Sequence, residues 1–242
     1  MLQNPEGDPT GTNFDQQHEN LEKKNEIEKI IQGAEFRSHR TQFSLQFSYM
    51  RQHHRGREVY RAFECLAFPF LKEKCLVDLG CGVGDYAEGP VPMVRIASDA
   101  KVKKYIGVDR FGGVKPEFIP TSREEYGIDI ELVMGEEGDM LRFLFNQQSN
   151  STNIVINGID EQVIPSNPGN RKYLEALAEE IKRVIGPNHI VFGIGSQPVF
   201  KLLELIGMKK MDLPVSPYPL EVFHDEQQEE DKNDNIENKE NM

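Results

Sequence analysis

The stretch CLVDLGCGVGDY, residues 75–86, sets a short apolar run directly before a turn with glycine at positions 80, 82 and 84. Residues 75–79 have the length and the Val/Leu content of a strand buried on both faces, and Asp78 falls near its end. The glycines let the chain turn sharply and bring its backbone against a ligand with no Cβ in the way. In open α/β sheets ligands bind beyond the carboxyl ends of the strands, and the first strand-to-helix turn is the usual place. A helix starting after that turn aims free N–H groups and the positive end of its dipole at an anionic group. Asp78 beside the turn attracts a cation, so the place suits a zwitterion.

Working outward, apolar runs recur at 104–109 (KYIGVD), 129–134 (DIELVM), 153–157 (NIVIN) and 189–194 (HIVFGI), separated by room for helical crossovers. The clearest crossover is 170–186, where Leu174, Leu177, Ile181 and Ile185 line one face before Gly186-Pro187 stops the helix. Strands alternating with helices predict a doubly wound, Rossmann-like α/β sheet, mostly parallel. Beyond it, 199–207 reads as a helix, and extended pieces near 208–213 and 219–224 as a terminal antiparallel pair. Upstream, helices are expected at 20–32 and at 41–67 with a break near Gly56. The expected division is a disordered tail over 1–20, a helical extension over 21–70, the Rossmann-like domain over 71–224 and a disordered acidic tail over 225–242. Both tails lack the apolar content that offsets the entropy of ordering.

A chain of 242 residues, 38% hydrophobic and 28% charged, can bury one sizeable core. Apolar runs fall short of the roughly 18 to 20 residues of a membrane-spanning helix, and the first residues lack a signal-peptide layout. A soluble, cytoplasmic protein is the expectation, with no membrane partner. The net charge of −12 sits at the ends: −4 over 1–33 and −6 over 225–242, which leaves −2 for 34–224. Cys65, Cys75 and Cys81, spaced by ten and six, match neither a disulfide framework nor a zinc ribbon and read as reduced, buried thiols.

Asp109 closes the second predicted strand, 25 residues after Gly84. A carboxylate there can accept two hydrogen bonds from a ribose diol and would repel a 2′-phosphate, which points to an adenosine-like ligand. The segment 82–87, GVGDYA, also satisfies the Gly-x-Gly-x-x-Ala form of a dinucleotide fingerprint. Against a dinucleotide stand the acidic residue two places before the first glycine, the Gly-x-Gly-x-Gly spacing and the lack of room for a separate substrate domain.

With VDLGCGVG and the strand-ending Asp109, residues 75–195 resemble the class I S-adenosylmethionine-dependent methyltransferases. The resemblance implies a seven-stranded Rossmann-like sheet with S-adenosyl-L-methionine lying over the glycine turn. It assigns the methionine portion to Asp78 and to the backbone of Gly80, Cys81, Gly82 and Gly84, and the ribose hydroxyls to Asp109 with Arg110 beside it. The adenine amine falls to an acidic residue after the third strand, either Asp139, with Met140 against the ring, or Glu136; Asp139 is preferred because it precedes a helix-like LRFLF. Asn157 ends the fourth strand, where the family lines its substrate cavity. Members that methylate amino groups of nucleic-acid bases or of protein glutamine often carry two prolines and an aromatic after that position. The present Asn157-Gly158-Ile159-Asp160 departs from that pattern, and a small-molecule acceptor is expected instead. A non-catalytic binding module is the alternative from another class.

For the chemistry of transfer, Asp160 and Glu161 follow the fourth strand as candidates for a general base, but the preferred reading is a helix-start pair favoured by the dipole. Residues 36–63 carry Arg37, Arg40, Arg51, Arg55, Arg57 and Arg61 with His39, His53 and His54 against a single acid, Glu58. That is either a solvated helix face or a patch steering an anionic substrate. Arg51, His53, His54 or Arg57 would contribute acceptor contacts if 36–70 covers the cleft, and Tyr49 and Tyr86 would border it. Nucleic acid is not favoured, because Phe43, Phe47 and Phe63 read as core rather than as stacking platforms. His53-His54 has no third ligand at metal spacing, so no metal is expected. Cys81 reads as a small apolar filler and His189 as structural or surface.

Overall fold

A computed structural model describes residues 11–37, 43–82, 91–111, 118–214 and 220–225. The β-branched runs form β1 (Cys75–Leu79), β2 (Lys104–Asp109) and β3 (Asp129–Met134), with the ends read from sequence. β4 (Asn153–Ile156) and β5 (Ile190–Ile194) each lose one residue of the expected range. With β6 (Lys209–Lys210) and β7 (Leu220–His224) they make one seven-stranded sheet in the order β3-β2-β1-β4-β5-β7-β6. β1 to β5 pair in parallel, and β7 runs antiparallel to both β5 and β6. This is a Rossmann-like α/β fold.

The crossovers are α4 (Val91–Asp99), α5 (Phe118–Tyr126), a 3-10 turn (Gly135–Gly138) leading into α6 (Met140–Phe145), α7 (Pro168–Ile185) and α8 (Gln197–Leu205). The chain winds outward from β1 to β3, then returns to lay β4 against the other side of β1. The crevice between the carboxyl ends of β1 and β4 is therefore the switch point where α/β sheets bind ligands.

The helices upstream of β1 are built into both covering layers. α2 (Phe43–Gln52) and α3 (His54–Leu71) cover one face with α4 and α5: Phe47, Met50, Phe63 and Leu71 pack with Tyr105 and Phe192. Phe63 and Phe192 have ring centroids 5.0 Å apart. Ile31 of α1 (Gly11–Gln32) joins Tyr173, Ile181 and Phe200 on the opposite face.

Two expectations about this region are corrected. The break between α2 and α3 falls at His53, whose φ of −94° and ψ of 137° are extended, and not at Gly56. Gly56 lies buried within α3, where a Cβ would stand 2.5 Å from Met50 Cα, so it serves the close approach of the two helices. α1 begins at Gly11, so residues 11–20, expected as tail, are helical. Its carboxyl-terminal end is docked: the Arg142 guanidinium forks onto Glu28 at 2.8 and 2.6 Å, and Ile27 and Ile30 pack on the core. A nucleated helix extends at little cost into a polar stretch, here with the i,i+4 pair Glu19–Lys23.

Of the three thiols expected to be buried, only Cys81 is; Cys75 is half-buried, and Cys65 is exposed on the side of α3 away from Phe63 and Ala67. Among the described residues no helix is long and apolar enough to cross a membrane. Residues 1–10 and 226–242 of the two expected tails lie outside the described residues.

Candidate functional site

Asp78 stands at the carboxyl end of β1 with 1% of its surface exposed, in register with Gly107 of β2 and Val155 of β4. Tyr105, two residues before Gly107 and thus on the same sheet face, donates its hydroxyl to Asp78 Oδ2 at 2.6 Å. Asp78 Oδ1 is buried with no partner among the described residues. Burial pushes the Asp78 carboxyl up to about 7; the Tyr105 bond opposes the rise and the Asp109 charge adds to it.

The glycine turn follows with φ of +72° at Gly80 and +90° at Gly82, the left-handed region that favours glycine. The Gly80 and Cys81 amides both donate to the Val108 carbonyl, at 2.8 and 3.2 Å. The Gly82 amide donates to Asp109 Oδ2 at 2.9 Å, and the Phe111 amide to Oδ1 at 2.7 Å. The carboxylate closing β2 thus grips the turn after β1. Burial raises the Asp109 pKa, and the two amide bonds hold it back. Among the described residues a Cβ on Gly82 would meet nothing within 4 Å, whereas one on Gly80 would touch Ile159 Cδ1 at 2.9 Å. Cys81 is buried, and burial holds its thiol well above the usual range, which suits a filler and not a nucleophile.

After β3, Asp139 caps α6: its Oδ1 accepts from the Leu141 and Arg142 amides, both at 3.1 Å. Its Oδ2 pairs with Arg110 at 3.2 Å, and the Tyr173 hydroxyl lies 3.4 Å from both oxygens. Asp139 is 2% exposed and Met140 is buried beside it, while Glu136 is exposed in the 3-10 turn. Gly138 sits so close to the end of β2 that a Cβ would lie 2.2 Å from the Asp109 carbonyl oxygen. Of the two acids considered after β3, Asp139 is therefore the one tied, through Arg110, to the Asp109 end of β2.

One residue beyond β4, Asn157 Oδ1 accepts from the Ile194 amide at 2.9 Å, while its Nδ2 is buried without a partner among the described residues. Ser196 Oγ donates to the Ile156 carbonyl and accepts from the Ile159 amide, which holds Ile159 over Gly80. Asp160 caps a turn through the Gln162 and Val163 amides, at 2.8 and 3.3 Å, and Glu161 is exposed. The expected helix start at this pair is thus a turn, and α7 begins only at Pro168.

The sheet brings together Asp78, Gly80, Cys81, Gly82, Asp109, Arg110, Asp139, Met140 and Asn157. Of the basic segment, Arg51 and His53 are engaged elsewhere. Arg51 is paired with Asp99 at 2.6 Å, and His53 is exposed at the α2–α3 junction with its ring 5.8 Å from that of Tyr49. His189 is buried and bonds the Ile185 carbonyl through Nδ1 at 2.8 Å, a structural role. Gly84, Tyr86, His39 and Arg40, and the side chains of Phe43, His54 and Arg55, lie outside what is described. Among the described residues no cluster of three or more His, Cys, Asp or Glu could hold a metal.

Sequence reading missed Tyr105, Gly138, Ser196 and Phe36, whose ring lies under the Arg110 guanidinium. Tyr105 had a signal: a tyrosine in a buried strand needs a hydroxyl partner, and Asp78 is the polar residue on the neighbouring strand. Against models of protein families and against curated proteins, the chain has no match.

Proposed function

We propose that the protein is a methyltransferase that uses S-adenosyl-L-methionine to methylate a small molecule in the cytoplasm. The observation that carries this reading is the bond from the Gly82 amide to Asp109 Oδ2, because it joins the two features on which the methyltransferase resemblance rests. The fit to the methyl donor has three further supports. Asp78 Oδ1 is a buried acceptor without a partner, as an ammonium would require. Asn157 Nδ2 is a buried donor without a partner, as a carboxylate would require. Among the described residues, nothing stands within 4 Å of where a Cβ on Gly82 would lie.

The donor supplies an electrophilic methyl on a sulfonium whose departure leaves a neutral thioether. What remains for the protein is to align and to exclude water. Asp78 binds charge in its ionised form, and a bound ammonium would draw its pKa down from about 7. Asp109 accepts a diol through the lone pairs its two amide bonds leave free. Asp160, committed to its turn, is not assigned the role of base.

The test is calorimetry with S-adenosylmethionine, S-adenosylhomocysteine and NAD, on the wild type and on Asp109→Ala. Micromolar binding of the first two that is lost in the variant supports the reading. Binding of NAD alone, or of none, overturns it. Labelled methyl from the donor should then appear in the small-molecule fraction of an extract, and appearance in protein or nucleic acid would overturn the acceptor class.

A further inference from the structure

Tyr105 and Asp78 put a phenol and a carboxyl side by side on a face of the sheet that is otherwise apolar. In the β1–β2 register Leu76 stands opposite Tyr105 and Asp78 opposite Gly107. Gly107 offers no side chain of its own, so the partner of Asp78 is Tyr105, one diagonal step away. The Tyr105 hydroxyl donates to Oδ2 at 2.6 Å, and Oδ1 is the carboxyl oxygen left over. We infer that Tyr105 is a positioning residue for a cationic ligand: by holding Oδ2 it fixes the carboxyl and reserves Oδ1 for an ammonium at the end of β1. The inference takes the identity of the ligand from the methyl-donor reading, and the role of Tyr105 from the hydrogen bond alone.

A carboxyl taken out of water keeps its proton unless something near it stabilises the charge. For Asp78 burial is the largest influence and the Asp109 charge adds to it; the Tyr105 bond is what opposes them. The other groups on this face do not help. Burial keeps the Cys81 thiol of the glycine turn neutral, and β4 brings Val155 alongside, between the neutral Asn153 and Asn157. α2 and α3 cover the face with Phe47, Met50 and Phe63, and the charged neighbours of Tyr60, buried among them, are Arg51, Asp99 and Glu64. Among the described residues no cation acts on Asp78. A ligand's ammonium would supply the opposite charge, and Tyr105, whose own burial holds its proton, lets the carboxylate form to meet it.

Calorimetry of S-adenosylhomocysteine and adenosine across pH, on the wild type and on Tyr105→Phe, tests this. Ionised Asp78 binds the ammonium, so wild-type affinity for S-adenosylhomocysteine should rise about ten-fold from about pH 6 to about pH 8. Adenosine has no ammonium and should bind equally throughout. Loss of the donor should move the profile up by about one pH unit. Tyr105→Phe should then bind S-adenosylhomocysteine about five-fold more weakly near pH 7 and recover to within about two-fold near pH 8. A loss that is the same at every pH, or shared by adenosine, marks a merely structural residue and overturns the inference, as does no loss at all; in each case the methyl-donor reading stands. Should Tyr105→Phe fail to fold, Tyr105→fluorotyrosine, a stronger donor of similar shape, should move the profile to lower pH, and an unmoved profile overturns the inference. If the wild type binds no S-adenosylhomocysteine, the methyl-donor reading falls, and carbon NMR of the Asp78 carboxyl in the ligand-free protein decides the role of Tyr105. A midpoint raised in Tyr105→Phe supports its hold on the carboxyl, and an unmoved one overturns it.

Discussion

Tyr105 and Asp78 share a hydrogen bond of 2.6 Å where both side chains are closed off from water, and Asp78 keeps a second oxygen with no partner among the described residues. An acid so placed is held protonated far above its ordinary range, at about 7. In the folded protein the proton is bound more tightly than in the unfolded chain. The linked stability is therefore fully present at acid pH, below the unfolded carboxyl's value, and is lost as pH rises from there through 7.

Asp78→Asn should abolish that loss. The variant and the wild type should unfold alike near pH 4, and the variant should be the more stable near pH 8. A rise from about 4 to about 7 corresponds to roughly 4 kcal/mol. Urea unfolding across this pH range measures it, and parallel profiles for the two proteins would contradict the assignment. The same variant should lose S-adenosylhomocysteine binding, because the negative charge that would face the ammonium is gone.

Two glycine substitutions should separate function from folding. Gly82→Ala places a methyl group clear of every described residue at a left-handed φ, costing about 1 to 2 kcal/mol of strain while obstructing the region above the turn. Ligand affinity should fall by about ten-fold or more, with a small drop in Tm. Gly138→Ala forces a methyl onto the Asp109 carbonyl oxygen, backbone that cannot yield cheaply, and should cost several kcal/mol. Thermal denaturation read beside calorimetry gives both, and equal Tm losses would refute the distinction.

The strands were legible because buried parallel strands are near-continuous runs of Val, Ile and Leu that helices cannot imitate at that length. Asp78 and Asp109 were legible as strand ends for the same reason. The α2–α3 break was not: Gly56 signals a break by propensity, but it is spent on contact with Met50, and nothing local marks His53. Asp139 was recognised as an acid before a helix, yet its bonds to the α6 amides, Arg110 and Tyr173 are tertiary facts. Phe36 lies in a linker where no periodicity speaks, and Asn170, 135 positions after Glu35, is what fixes its place.

The bidentate contact of Arg142 with Glu28 joins α6 to α1, and the Arg142 hydrogen bond draws the Glu28 pKa below its ordinary value. The linked stability is present above the unfolded glutamate value and fades as pH falls through the folded one. A double-mutant cycle of Glu28→Gln and Arg142→Gln should return a coupling of about 1 kcal/mol at pH 7, shrinking towards zero near pH 3. Hydrogen exchange of residues 17–32 should quicken in either single variant. Unchanged exchange in both would mean that α1 is held by Ile27, Ile30 and Ile31 alone.

Asn157 gives the sharpest test of which end of the ligand lies where. Its Oδ1 is fixed by the Ile194 amide, so the side chain presents Nδ2 as a donor that no described residue receives. Asn157→Asp preserves the bond from Ile194 and the volume but replaces the donor with an acceptor, which would face the amino-acid carboxylate of S-adenosylhomocysteine. Affinity for that ligand should fall by about ten-fold or more, while adenosine, which lacks the amino-acid part, should bind as it does to the wild type. Equal loss for both ligands would mean that Asn157 acts on the nucleoside or on the fold. No loss for either would remove the residue from the site.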